Sequence, residues 1–170
     1  MAKPTPSDLL IKNVRERHPD TILSFSLGKD SIACYLALRG QFERIIPFYL
    51  YLVPGLEFVE EAISYFEDIM GTHIVQLPHP SLYRMLNNFV FQPPERVSII
   101  RAFNYYQFNY EDVYAAVRED YNAPGAPVAI GTRACDSPVR RIQIAKNGPW
   151  NHRWNTYQPV WDWNKAKVLA

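Results

Sequence analysis

Apolar residues fall in short blocks whose period changes along the chain, and the changes mark the expected elements. Ser7 is placed to cap a first helix reaching about Arg17, with Leu9, Leu10 and Val14 on one face. Residues 21–25 read as a short buried strand. Residues 30–39 return to helical spacing, with Ile32 and Leu36 beside Ala33 and Ala37, and stop at Gly40. Residues 45–52 form an apolar, aromatic run of β composition closed by Pro54-Gly55. The block Glu57–Met70 predicts an amphipathic helix with a stripe of Phe58, Ala62, Tyr65, Phe66 and Ile69, ended by Gly71. Residues 73–77 are a third strand, 82–88 a short helix, 112–121 another helix, 127–130 a fourth strand and 137–147 a helix. Between them Pro93-Pro94 breaks the chain, and residues 101–108 are aromatic without a clear period.

Strands alternating with helices predict an α/β fold: a three-layer, open, mainly parallel twisted sheet with helices on both faces, as a single domain over residues 1–170. In such sheets ligands sit beyond the carboxyl ends of strands, where loops lead into helices. The loops after Phe25 and after Ile130 are therefore the places to look for chemistry.

Charge sharpens that expectation. The chain has 170 residues with 18 Lys+Arg against 17 Asp+Glu, a net charge of +1, which fits neither a polyanion-coating protein nor an acidic disordered tail. Residues 54–70 hold five acids and no base, whereas residues 133–153 hold five bases and one acid, Asp136. A local basic surface on a neutral chain points to one small anionic ligand rather than a long nucleic acid. Cys34 and Cys135 make no disulfide framework, and the four histidines share no ligand spacing, so neither zinc nor an iron–sulfur cluster is expected. No Gly-x-Ser-x-Gly sequence suggests a hydrolase triad. With no signal-peptide core and no bilayer-length apolar run, the expected setting is the cytoplasm, away from membranes.

Ser24-Phe25-Ser26-Leu27-Gly28-Lys29-Asp30-Ser31 runs from the first strand into a helix. Gly28 lets backbone approach a ligand without a Cβ in the way. Free N–H groups of residues 28–31 and the positive helix end make an anion pocket. Ser26 and Ser31 add hydroxyls and Lys29 adds a mobile charge, while Asp30 fits either a helix cap or a magnesium-bound water. The loop is not a Walker A motif: Leu23 and Asp30 stand where that motif needs Gly and Ser/Thr. The second loop, Gly131-Thr132-Arg133-Ala134-Cys135-Asp136-Ser137, opens a helix bearing Arg140 and Arg141. Gly131 permits a tight exit, Arg133 can fork onto phosphate or sulfate, and Asp136 or Ser137 can cap the helix.

The first loop resembles the S-G-G-K-D-S loop of the PP-loop (ATP pyrophosphatase) superfamily, with Leu27 in the second position. The second loop resembles the G-x-R-x-x-D/E-S-x-x-R signature of the phosphoadenosine phosphosulfate (PAPS) reductase family. Gln158-Pro159-Val160-Trp161-Asp162-Trp163 is similar to that family's P-I-x-D-W segment. The resemblance implies an adenine nucleotide alpha hydrolase-like fold. It implies that Ser26, Gly28, Lys29, Asp30 and Ser31 hold terminal phosphates, that Arg133 and Arg140 reach the same anion, and that Ser24, Leu27, Gly131, Ser137 and Arg141 line the nucleotide. Residues 21–25 and the chain near 49–53 would flank adenine and ribose. Lys29, Asp30 and Arg133 would be the catalytic groups, and Asp30 would contact Mg2+ through water.

Two departures qualify the resemblance. Val53-Pro54-Gly55 stands where family members often carry a polar triplet, and the cysteine-bearing C-terminal tail of the reductases is absent. Cys135 is either its substitute or a small residue packed at a helix start; Cys34 reads as core. The expected function is a PAPS reductase-like enzyme binding ATP or a sulfonucleotide (APS or PAPS) and acting at the α-phosphate or the sulfate. The alternative is an inactive nucleotide-binding or regulatory subunit of a larger assembly, and a homo-oligomer or partner subunit fits either. The aromatic residues 103–110 read as base-stacking or as core and subunit contact. Residues 150–154 read as a flap over nucleotide or as a loop anchored by two tryptophans.

Overall fold

The computed structural model describes residues 6–90, 93–103 and 106–170. The elements are α1 (Pro6–Arg15), β1 (Asp20–Ser24), α2 (Lys29–Leu38), β2 (Arg44–Tyr51), α3 (Glu57–Met70), β3 (Val75–Pro78), α4 (Pro80–Asn87), α5 (Val97–Phe103), α6 (Tyr110–Asp120), β4 (Val128–Ile130), α7 (Pro138–Asn147), β5 (Trp150–Asn151), β6 (Thr156–Tyr157) and α8 (Lys165–Leu169). The strands form one sheet in the order β3-β2-β1-β4-β6-β5. All neighbours are parallel except the β5–β6 edge pair. The chain is therefore an α/β protein with a mostly parallel sheet. Among the described residues, no helix is long and apolar enough to cross a membrane.

Strand periodicity sends alternate residues to opposite faces. Leu23 and Ala129 join a core built on one face with α1, α2 and α3. Ile22, Ile46, Phe48 and Val128 join a second core on the other face, closed by Val113, Tyr114 and Val117 of α6. Pro47 lies inside β2 opposite Leu23, one residue before the β2–β3 ladder begins at Phe48 and Val75. Its missing N–H falls where no ladder partner stands, which is how an interior strand carries a proline. A buried hydrogen bond of 2.9 Å joins the hydroxyls of Thr21 and Tyr157, tying β1 to β6 beneath the intervening β4.

Several elements differ from the sequence expectation. The first helix starts at Pro6, so Ser7 lies in its first turn rather than at its cap; its hydroxyl and backbone N–H are both bound to Asp162 near the other end of the chain. The helix α3 has the expected bounds but a different inner face. Val59 and Ile63 are buried and Phe66 and Met70 pack beside them, while Phe58, Tyr65 and Ile69 of the expected stripe are exposed. Two apolar stripes run side by side on this helix, offset by one residue, and the edge-on contact of Phe66 with Phe25 at 5.1 Å accompanies the inner one. In α2 the sheet-facing residues are Cys34, Tyr35 and Leu38, and Leu36 is exposed; the helix is apolar nearly all round, so periodicity alone does not fix its rotation.

The short strands β5 and β6 were not expected, because two-residue strands carry no periodic signal. Residues 150–154 accordingly form part of a small hairpin, with Trp150 under the Arg17 guanidinium and Trp154 partly exposed. In the aromatic segment, Phe103 and Tyr106 are exposed rather than core, and Phe108 packs on the α6 core. Asn104 and Tyr105 lie outside the described residues.

Candidate functional site

From β1 the chain runs through β2 to β3 on one side of the sheet, then returns to place β4 on the other side of β1. Strand order thus reverses between β1 and β4, and the loops leaving their carboxyl ends diverge around a crevice. The sequence singled out these two loops.

Ser24 is the last residue of β1, paired between Phe48 and Ile130. The chain then turns sharply. Leu27 has φ of +60°, a left-handed conformation that costs a non-glycine residue about 1 kcal/mol. Gly28 is the N-cap of α2 and supplies no side-chain cap. Ser31, which is buried, donates its hydroxyl to the Gly28 carbonyl at 2.8 Å, and Ser26 donates to the Ser31 hydroxyl at 3.3 Å. The backbone N–H groups of Ser31 and Ile32 also go to Gly28 O. Those of Leu27, Gly28, Lys29 and Asp30 have no partner among the described residues. Four consecutive unpaired amides at the positive end of a ten-residue helix are an arrangement that can take an anion.

Gly131 places the second loop against the first. A Cβ at residue 131 would lie 2.8 Å from the Asp30 carbonyl oxygen and 3.1 Å from the Ser31 nitrogen, so only glycine allows this approach. Two residues on, Arg133 is 4% exposed. Its Nη2 donates to Asp136 Oδ1 at 2.7 Å and its backbone N–H to Asp136 Oδ2 at 3.0 Å. Its Nε lies 3.1 Å from Asp30 Oδ1, within ionic reach but out of line for a hydrogen bond. Asp30 Oδ1 and the Nε and Nη1 of Arg133 are therefore buried with hydrogen-bonding capacity unused. Lys29 Nζ rests 2.8 Å from Asp30 Oδ2, and Arg140 Nη1 donates to Asp136 Oδ2 at 2.9 Å. Burial opposes the charge on Asp136, but the Arg133 N–H and the guanidinium groups of Arg133 and Arg140 outweigh it and hold the carboxyl below its ordinary range.

The fold thus brings Lys29, Asp30, Arg133, Asp136 and Arg140 into one ionic chain, with the loop amides beside it. Ser137 is the N-cap of α7, its oxygen accepting from the Arg140 N–H at 3.2 Å, so its hydroxyl is occupied as a cap. Arg141 is exposed and makes no ion pair among the described residues, so it stands apart from the chain of charges. Cys135 is exposed, its thiol donating to the Trp163 carbonyl at 3.2 Å, while Cys34 is wholly buried with its thiol pushed up far beyond the ordinary range by burial. The third segment is joined to the site: the Ala134 N–H donates to Trp161 O at 2.8 Å, which holds residues 158–163 under the second loop.

Sequence reasoning offered Asp136 or Ser137 as the cap, which is Ser137, and missed the role of Asp136 as the hub between two arginines. The spacing Arg133, Asp136, Arg140 places all three side chains within one turn of the α7 entry, and that was the available signal. Comparison with known proteins finds no matching protein-family model and no matching curated protein.

Proposed function

We propose that the chain is an adenine-nucleotide enzyme of PP-loop type, resembling the PAPS reductase family, that binds ATP or a sulfonucleotide (APS or PAPS) and acts at the α-phosphate or the sulfate. One observation carries the reading. The S-G-G-K-D-S loop has glycine at the position Leu27 holds, and Leu27 adopts the left-handed backbone that glycine takes freely. A strained leucine kept in that conformation, beside four unpaired amides, supports a loop shaped for a multiply charged group. The reversal of strand order between β1 and β4 supports the finer fold reading, an adenine nucleotide alpha hydrolase-like sheet.

With ATP, an acceptor attacks the α-phosphorus and the bond to the bridging oxygen breaks, its electron pair leaving on pyrophosphate. The amides of Leu27 to Asp30 receive that anion, Lys29 swings from Asp30 onto it, and the buried Arg133, held by Asp136, contributes its charge from beneath the loop. With a sulfonucleotide the same cradle holds sulfate or the 3′-phosphate. Asp30, whose two oxygens already face Lys29 and Arg133, would hold a Mg2+ only through a water, and the ion would supply charge neutralisation when bound.

A second reading, a nucleotide-binding or regulatory subunit without turnover, is favoured by the pairing of every cation in the cluster: Lys29 with Asp30, and both Arg133 and Arg140 with Asp136. Incubation with ATP and Mg2+, or with PAPS and a thiol, separates the two. AMP with pyrophosphate, or adenosine bisphosphate with sulfite, marks the enzyme; saturable binding without products marks the module. Nucleotide affinity unchanged by Lys29→Ala overturns both.

A further inference from the structure

A second cavity, of about 420 Å3, lies across β4 from the α1–α3 face, lined by Asn109, Tyr110, Glu111, Tyr114, Ile130, Trp154 and Thr156. Its volume falls in the range of small-molecule sites. Ile130 packs with the α6 core, and Thr156 is the register partner of Val128 on that same face, so the two form the floor. Tyr110 and Tyr114, one turn apart on α6, make one wall with ring centroids 6.3 Å apart and planes at 35°. Trp154 makes the rim, with the Arg153 guanidinium 5.1 Å from its ring centre.

The polar groups are ordered. His79 Nδ1 accepts the Ser81 N–H at 3.0 Å, so the neutral imidazole carries its proton on Nε2 and donates it to the Tyr110 oxygen at 3.1 Å. The hydroxyl proton of Tyr110 is thereby left for another acceptor. Burial, followed by the nearby Arg84, lowers the His79 pKa and keeps the ring neutral. Tyr114, pushed up to about 12 chiefly by burial, stays a protonated phenol. The Glu111 carboxylate and the Thr156 hydroxyl have no side-chain partner among the described residues. The rim thus offers an anionic acceptor beside hydroxyl donors, between aromatic walls.

We propose that this cavity binds a flat, uncharged heteroaromatic ring with an exocyclic amine, of nucleobase size. Such a ring stacks on Trp154 and the tyrosines, gives its amine proton to Glu111 and takes hydroxyl donors at an adjacent ring nitrogen. Glu111 excludes an anionic ring by charge. The inference rests on this cavity alone and holds whether or not the phosphate-loop reading does, although Ile130 on its floor directly precedes Gly131.

Adenosine and cytidine are the probes, with uridine as the control that lacks the amine, followed by titration calorimetry and ligand-observed NMR on the full chain. Saturable binding of adenosine and cytidine, with uridine about tenfold weaker, is the expected result. Trp154→Ala, whose side chain is partly exposed, should weaken adenosine about tenfold, the scale of one lost base stack. Glu111→Gln should erase the preference for cytidine over uridine. The proposal is overturned by absence of nucleoside binding at millimolar concentration, by equal binding of cytidine and uridine, or by indifference to Trp154→Ala. It is equally overturned if sedimentation shows a second copy covering the cavity.

Discussion

Gly131 stands so close to Asp30 that an alanine methyl at residue 131 would lie within 2.8 Å of the Asp30 carbonyl oxygen. The neighbour is backbone, fixed by the first turn of α2, and cannot move aside cheaply. Gly131→Ala should destabilise the fold by about 1–3 kcal/mol, the range for overpacking, and weaken nucleotide binding by spreading the two loops. Urea midpoints and a nucleotide titration on the same variant measure both effects; an unchanged midpoint contradicts the close approach.

Lys29→Ala should separate function from stability. The Lys29 side chain is half exposed and its partner Asp30 partly so, so the pair contributes about 0–1 kcal/mol. Thermal unfolding should barely change while affinity for ATP or PAPS drops at least tenfold by calorimetry.

Arg133 should behave in the opposite way. It is buried between Asp30 and Asp136, and Arg133→Met would leave those carboxylates only their more exposed partners, Lys29 and Arg140, for a loss of about 3 kcal/mol. Chemical denaturation reads this directly.

The pH dependence follows from Asp136. Its folded pKa is depressed, so its contribution to stability is present above the unfolded carboxyl value of about 3.9 and disappears as pH falls through the lower folded value. Asp136→Asn should flatten the acid limb of the stability curve below about pH 4. A limb as steep as in the unaltered chain argues against the ionic chain.

The two stripes of α3 give a packing test. Ile63→Ala should cost about 2–5 kcal/mol, as a buried truncation does, whereas Tyr65→Ser on the exposed stripe should stay within about 0.5 kcal/mol. Equal losses would reverse the assignment of faces.

How much of this was legible beforehand depends on the kind of signal each residue carried. Four strands and the bounds of α3 were readable because composition switches sharply at Gly71 and Pro54-Gly55. The junction of β1 with α2 was readable because glycine, lysine and hydroxyls cluster between two apolar blocks. The rotation of α2 and α3 was not, since two adjacent stripes were both apolar and only contact with the sheet chooses between them. The pairing of Arg133 with Asp30 was hidden for a different reason: it links positions 103 residues apart, and only the sheet order brings them together.

The bond between Ser7 and Asp162 fastens the first helix to the segment before the last. With those two positions clasped, a single nick at the exposed bend of Gly125 would leave two pieces still held side by side by α1 and residues 158–163, at little cost in loop closure.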